Sequence, residues 1–177
     1  MRWHRLGEMN STDSNIIMDT YFASKDARKR YELLKLLVLD LPEDAKDFFF
    51  TAFKKERYLD AKLLAIRGYA NYATEDEVKV LTIKLMELLK KRAFTTPYSY
   101  EEYESMRSEF MLPFLVKKYD YNCFTELAEQ VEKQYSDMPD CFKGIFTLDE
   151  YGEYICLRDS AEVKESLDEF WNSRRKN

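Results

Sequence analysis

Apolar residues recur at helical spacing along most of the chain, most clearly in residues 58–87. One stripe runs along a first helix, at Leu59, Leu63, Ile66, Ala70 and Ala73. A second stripe follows at Val78, Leu81, Leu85 and Leu88, widened by Val80, Ile83 and Met86. The small residues Ala61, Ala65 and Gly68 allow neighbouring helices to approach the first helix closely. Both helices are too apolar to be isolated surface helices, so we expect other helices to pack against each of them on more than one side.

Capping residues divide the remaining pattern into separate helices. Thr74 and Glu77 have the spacing of a capping box, which ends one helix and starts the next. Ser24 is the predicted N-cap of an earlier helix, and Pro42 suits the first turn of the one after it. The predicted helices are 11–22, 24–41, 42–57, 59–73, 75–92, 99–119 with a break near Pro113, 122–135, and a last one after Asp159. Ser99 and Glu102 repeat the capping-box spacing, residues 141–146 suit a short helical turn, and residues 153–157 can form a short strand.

Length and composition agree with an all-α fold in a single domain. A chain of 177 residues can bury roughly two-thirds of its unfolded surface. Four Gly and four Pro are too few for a β-sandwich or barrel, which needs a turn every ~8–12 residues. We therefore predict stacked antiparallel helix hairpins or an irregular helical bundle over residues 1–177. Residues 1–10 are expected to be mobile, and residues 93–98 form an internal break.

Charge is distributed unevenly along the chain. Residues 1–98 contain 18 Lys/Arg and 15 Asp/Glu, whereas residues 99–170 contain 7 Lys/Arg and 18 Asp/Glu. Three basic residues in the last seven bring the net charge to −5. An acidic second half repels nucleic acid and favours a basic partner, although a solvated, soluble surface accounts for the same pattern.

Compartment and cysteine usage point to the cytoplasm. No apolar run approaches the ~18 residues of a membrane span, and residues 1–15 lack the apolar centre of a signal peptide. We therefore expect a cytoplasmic protein with no membrane partner. Cys123, Cys141 and Cys156 lack metal-ligand spacing and are expected to be free thiols.

Helices predicted in residues 24–92 start at intervals that suit a repeat. The starts near residues 24 and 59 are 35 positions apart, and the next, near Ser99, follows 40 further on. In the segment LDAKLLAIRGYANYA, Asp60 and Lys62 precede an Ala/Leu-rich face. Over residues 24–120 the chain resembles HEAT/armadillo-type helical repeats, although it lacks their regularly placed proline. The resemblance implies a binding surface and does not imply catalysis.

Residues able to carry chemistry are sparse. His4, in the terminal segment, is the single histidine, which leaves no His pair for a metal and no ready triad. The four glycines are too far apart to cradle a phosphate. Carboxylates do cluster, but at helix starts, where they complement the helix dipole. The sequence therefore predicts no catalytic residue, no metal and no cofactor.

The leading hypothesis is a non-catalytic module that binds a basic protein through its acidic, Tyr-rich second half. One concrete form is an immunity-type inhibitor that occludes a basic bacterial toxin domain. The predicted contact residues are Glu101, Glu102, Tyr103, Asp149, Glu150 and Tyr151. Tyrosine suits such a surface because its ring contributes contact area at low entropic cost. Placement of the same tyrosines at the rim of the core is the competing interpretation.

Two alternatives follow from other features of the sequence. Basic clusters at helix ends in residues 28–92 could instead bind nucleic acid. Their members are Arg28, Lys29, Arg30, Lys54, Lys55, Arg57, Lys90, Lys91 and Arg92. A carboxylate-based hydrolase is the third hypothesis, and it requires a deep pocket with two or more buried acids.

Overall fold

The fold is all-α with one small β-hairpin. The computed structural model describes residues 11–92, 98–139, 146–148, 150, 154–156 and 160–175. The helices among them are α1 (Ser11–Ala23), α2 (Ala27–Leu39), α3 (Lys46–Lys55), α4 (Leu59–Tyr69), α5 (Glu75–Lys91), α6 (Tyr98–Arg107), α7 (Leu112–Tyr119), α8 (Asn122–Ser136) and α9 (Ser160–Arg175). Strands β1 (Phe146–Leu148) and β2 (Tyr154–Cys156) pair antiparallel, with Thr147 opposite Ile155. The all-α prediction is confirmed, and strand β2 lies within residues 153–157, where the sequence allowed a short strand.

Helix α4 is the centre of the core. Ten of its eleven residues are buried, so it has neighbours on every side. It packs on α2, α3, α5 and α6, most extensively on α3. Helix α8 packs on α5, α6 and α7, and α1 packs on α2. Helices α2 and α3 share α4 as their main partner instead of forming the hairpin that their spacing predicts. The resemblance to HEAT repeats stays a prediction.

Gly68 shows why small residues are needed on α4. The fully buried Phe49 of α3 lies directly over it. A Cβ atom at Gly68 would fall well inside van der Waals distance of the ring carbons Cδ1, Cε1 and Cζ of Phe49. The absence of a side chain therefore allows α3 to reach the backbone of α4, as the sequence predicts for this position.

The boundaries of several helices depend on caps. The Thr74 capping box is present in both directions, with the Glu77 carboxylate accepting from the backbone N–H of Thr74. Asp26, and not Ser24, is the N-cap of α2, because its carboxylate accepts from the backbone N–H groups of Arg28 and Lys29. The predicted start of α3 at Pro42 is wrong, since the helix begins at Lys46.

The break after α6 also follows the sequence. Helix α6 ends at Arg107, and α7 begins at Leu112 with Pro113 in its first turn. Helix α6 begins at Tyr98, one residue before the predicted cap Ser99, whose side chain lies outside the described part of the structure. The predicted turn at 141–146 and the cap at Asp159 involve residues outside the described ones. No helix in the described ranges is long and apolar enough to cross a membrane.

Candidate protein-binding face

Glu102 of α6, one of the predicted contact residues, is buried against the first turn of α4. Its carboxylate accepts from the backbone N–H of Leu59 at 3.2 Å and lies 3.4 Å from the Arg92 guanidinium. Burial raises the pKa of Glu102, and Arg92 partly offsets that rise. Glu102 thus supplies an acceptor to the first turn of α4, a helix that has no side-chain cap of its own. A side chain in this position cannot contact a partner protein.

Asp60 forms a second acidic group beside Glu102. Burial, with the charges of Glu102 and Glu56 nearby, raises the pKa of the Asp60 carboxyl to about 7. Its carboxylate accepts from the backbone N–H of Ala61 at 2.7 Å. The buried acids required by the hydrolase hypothesis are therefore present. However, Glu102 is occupied by structural partners, and Glu56 is bonded to Arg30 and to the Tyr21 hydroxyl.

Tyr103, the next predicted contact residue, is also buried and holds three helices together. Its hydroxyl donates to Oε1 of Gln134 on α8. Nε2 of Gln134 donates to the backbone carbonyl of Leu89 on α5 at 3.2 Å. Burial raises the pKa of the Tyr103 hydroxyl to about 12, so it remains a hydrogen-bond donor at neutral pH. Tyr103 therefore fixes α6 against α8 and leaves the contact set.

The remaining predicted contact residues differ in their placement. Glu101 and Glu150 are exposed, whereas Asp149 and Tyr151 lie outside the described residues. The other tyrosines of the second half whose side chains are described, Tyr119, Tyr121 and Tyr135, are half-buried against the core. The rim-of-core interpretation thus holds for them, and the described surface of this half is acidic more than aromatic.

Acidic side chains lie along α6 and α8, two helices that pack on each other. On α6, Glu101 and Glu104 are three positions apart; on α8, Glu126, Glu129 and Glu132 repeat the same interval. Residues three apart lie on one side of a helix, so each set forms a row. We call these five glutamates the acidic face. Sequence reasoning found Glu101 but missed the α8 row, although its i, i+3 spacing was visible.

Arg107 joins the two rows. Its Nε lies 2.7 Å from Glu132 and its Nη1 lies 3.1 Å from Glu104, so one guanidinium bridges α6 and α8. The same guanidinium lies 3.7 Å from the centre of the Tyr135 ring. This cation–π contact helps to position Arg107 between the two helices. With Arg107 and the exposed Lys133 as the cations of α6 and α8, the five glutamates leave the acidic face net negative.

Helices α2 and α3 have the opposite charge. They contain seven Lys/Arg and two Asp/Glu, whereas α6 and α8 contain two Lys/Arg and six Asp/Glu. Several of the predicted nucleic-acid-binding cations are already engaged. Arg30 pairs with Glu56, Arg92 pairs with Glu102, and Lys55 donates to the backbone carbonyl of Phe22. Ion pairs thus engage three of the six acids on α6 and α8, and two of the seven cations on α2 and α3.

Other site chemistry is limited in the part of the chain that the structure describes. There, no group of three or more His, Cys, Asp or Glu side chains could hold a metal ion. Cys123 is a half-buried free thiol, and burial raises its pKa. Comparisons with protein-family models, curated proteins and solved structures find no match for this chain. Functional inference consequently depends on the geometry of the site itself.

Proposed function

We propose that this chain is a non-catalytic protein-binding module whose partner is a basic protein. The observation that supports it is the acidic face, where five glutamates share a single bridging arginine. A surface of one sign steers an oppositely charged partner and raises the association rate. The exposed fractions of the Glu132 and Glu104 side chains, 55% and 25%, leave both accessible to a partner's lysines and arginines.

The proposed contact set replaces the buried residues with exposed ones. Glu101, Glu126, Glu129 and Glu132 lie at the surface of α6 and α8. Glu150 is exposed and stays in the set. Asp149 and Tyr151 stay as predictions from the sequence.

A concrete form of this function is an immunity-type inhibitor. The acidic face would occupy the basic surface with which a toxin domain holds its own anionic substrate. Inhibition by occlusion needs no catalytic residue and no cofactor in the inhibitor. It needs a rigid surface, and the Arg107 bridge together with the Tyr103–Gln134 hydrogen bond provides one.

Charge reversal tests the proposal directly. The face variant carries Glu101→Lys, Glu126→Lys and Glu129→Lys, three exposed residues that form no ion pair among the described residues. A control variant carries Glu32→Lys, Glu43→Lys and Asp44→Lys, which are also exposed but lie on or before helices that do not pack on α8. Both variants change the net charge equally.

Wild-type protein and both variants serve as baits in an extract of the cells that produce this chain. We expect a basic protein that the wild type and the control variant retain and the face variant loses. With the purified partner, the association rate should fall at least tenfold for the face variant at low salt. Equal capture and equal association rates for all three baits would refute the proposal.

Nucleic-acid binding is the second candidate, supported by the net positive charge of α2 and α3. Besides Lys55, which donates to a backbone carbonyl, six members of the predicted set are exposed and form no ion pair among the described residues: Arg28, Lys29, Lys54, Arg57, Lys90 and Lys91. A mobility shift with duplex DNA at ~50 mM salt that disappears by ~200 mM would favour it. Absence of a shift at the lower salt concentration would dismiss it.

A further inference from the structure

Arg67 lies in an unusual environment at the end of α4. Its side chain is nearly fully buried, and 8% of the residue is exposed. The guanidinium lies between two rings, 3.5 Å from the centre of Phe110 and 3.8 Å from the centre of Phe114. Its Nη1 donates to the backbone carbonyl of Phe110. Burial lowers the pKa of Arg67 to about 10, so the group is still charged at neutral pH.

Arg67 has no acidic partner among the described residues. Other buried or half-buried arginines do: Arg30 pairs with Glu56, Arg92 with Glu102, and Arg107 with both Glu104 and Glu132. A guanidinium has five N–H donors, and one of those on Arg67 is bonded. Burial of a charge without a counter-ion is costly, so this position calls for an acceptor that the described residues do not supply.

Tyr119 also lacks an interaction partner, in its case for the side-chain hydroxyl. Its hydroxyl is buried and has no hydrogen-bond partner, which is true of no other buried side-chain N or O atom in the described part of the chain. Tyr119 and Arg67 are close enough to interact electrostatically. Arg67 has one hydrogen-bond acceptor for its five N–H groups and the Tyr119 hydroxyl has none, which indicates a missing third component.

Lys118 adds a second cation at the solvent side of this cluster. Its Nζ lies 5.0 Å from the centre of the Tyr119 ring and 5.6 Å from that of Phe114. Nζ donates to Oδ1 of Asn71 at 3.0 Å, which leaves two of its three N–H groups for another acceptor. Lys118 and Asn71 are both exposed, so the cluster borders on solvent.

We propose that Arg67, Lys118 and Tyr119 form a binding site for a small oxyanion, either a phosphate or a carboxylate group. Two cations and a phenol hydroxyl can all donate hydrogen bonds, and an oxyanion complements them with several acceptor oxygens and negative charge. A purely structural role for Arg67 explains its position between the two rings. It does not explain the absent counter-ion or the unbonded hydroxyl. The site is separate from the acidic face and independent of the function proposed above.

Titration with inorganic phosphate, with acetate, and with sodium chloride at equal ionic strength tests the site. The readout is the ¹H–¹⁵N spectrum, in which the Arg67 Nε–H and the Asn71 side-chain amide report locally. We expect saturable shifts of both signals with phosphate or acetate beyond those caused by chloride. The anion that binds more tightly identifies the ligand class. Equal, non-saturating shifts in all three salts would overturn the proposal.

Two variants and a control give the residue-level test. Tyr119→Phe keeps the ring and removes only the hydroxyl, and it should weaken anion binding about tenfold, as expected for one lost hydrogen bond to a charged group. Arg67→Lys should weaken it further, because a lysine cannot reproduce the planar set of donors. Arg107→Lys alters an arginine that already has counter-ions and should leave binding unchanged. Because the spectrum itself reports folding, unchanged affinity in a folded Tyr119→Phe protein would exclude the site.

Discussion

Substitution of Gly68 by alanine is expected to destabilise the protein, although the same change usually stabilises a helix. In an ordinary helix interior, alanine is favoured over glycine by about 1 kcal/mol. At Gly68 the added Cβ would overlap three ring carbons of Phe49. The ring cannot move aside easily, because Phe49 is fully buried, with the Phe48 ring centre 5.2 Å away and Tyr72 stacked at 6.0 Å.

The net effect follows from two opposing terms. Overpacking in a dense core costs about 3 kcal/mol when neighbouring elements must shift. The gain in helix propensity offsets about 1 kcal/mol of this cost. Gly68→Ala should therefore lower the free energy of unfolding by about 2 kcal/mol. For a domain of this size, that corresponds to a fall in Tm of about 4–8 °C.

Urea unfolding followed by circular dichroism measures the change, with Thr51→Ala as a control at an exposed position of α3. The control should change stability by no more than about 0.5 kcal/mol. Phe49→Leu removes the ring atoms that cause the overlap, so Gly68→Ala should cost much less in a Phe49→Leu background. An equal cost in both backgrounds, or a more stable Gly68→Ala protein, would show that the two helices do not approach as described.

Three further substitutions test the buried charges and the caps. Glu56→Ala leaves Arg30 without its counter-ion and should cost about 3–5 kcal/mol in urea unfolding; a cost below about 1 kcal/mol would mean that the pair is solvated. Asp60 has a pKa raised to about 7, so its stabilising contribution is complete below the unfolded-state pKa near 4 and is lost as the pH rises through about 7. Asp60→Asn should therefore be more stable than the wild type at pH 8 by about 2–4 kcal/mol and close to it at pH 4, and an unchanged difference between these pH values would contradict the shift. Thr74→Ala removes the hydroxyl of the capping box and should cost about 1 kcal/mol, measured by thermal unfolding against the exposed control Thr51→Ala.

Local features of the fold could be predicted because they depend on residues within one or two helical turns. The Thr74 capping box and the break before Pro113 are examples. Where several local candidates competed, prediction was less accurate. Ser24 was predicted as the N-cap of α2, but the N-cap is Asp26. The sequence did not distinguish them, because both side chains have oxygens that can accept from the backbone N–H groups of a first turn.

The exposed residues of the acidic face could be predicted only in part, because exposure depends on how a helix is oriented in the fold. Charge along the chain showed which half of the molecule is acidic, but it did not show which carboxylates reach solvent. Glu101 and Glu102 are neighbours in sequence, yet Glu101 is exposed and Glu102 is buried, because successive helical residues point about 100° apart. The orientation of α6 against its neighbours decides which of the two is covered.

The sequence by itself determined the helical class of the protein, most helix boundaries and the accumulation of acid in the second half. These properties arise from periodicity, caps and composition, which act over a few residues. Tertiary structure alone decided that Glu102 is bonded to the backbone of Leu59, 43 positions away in the chain. It also decided that Arg67 lies between two phenylalanine rings with no counter-ion among the described residues. Such contacts depend on how whole helices pack, and no local pattern in the chain encodes that packing.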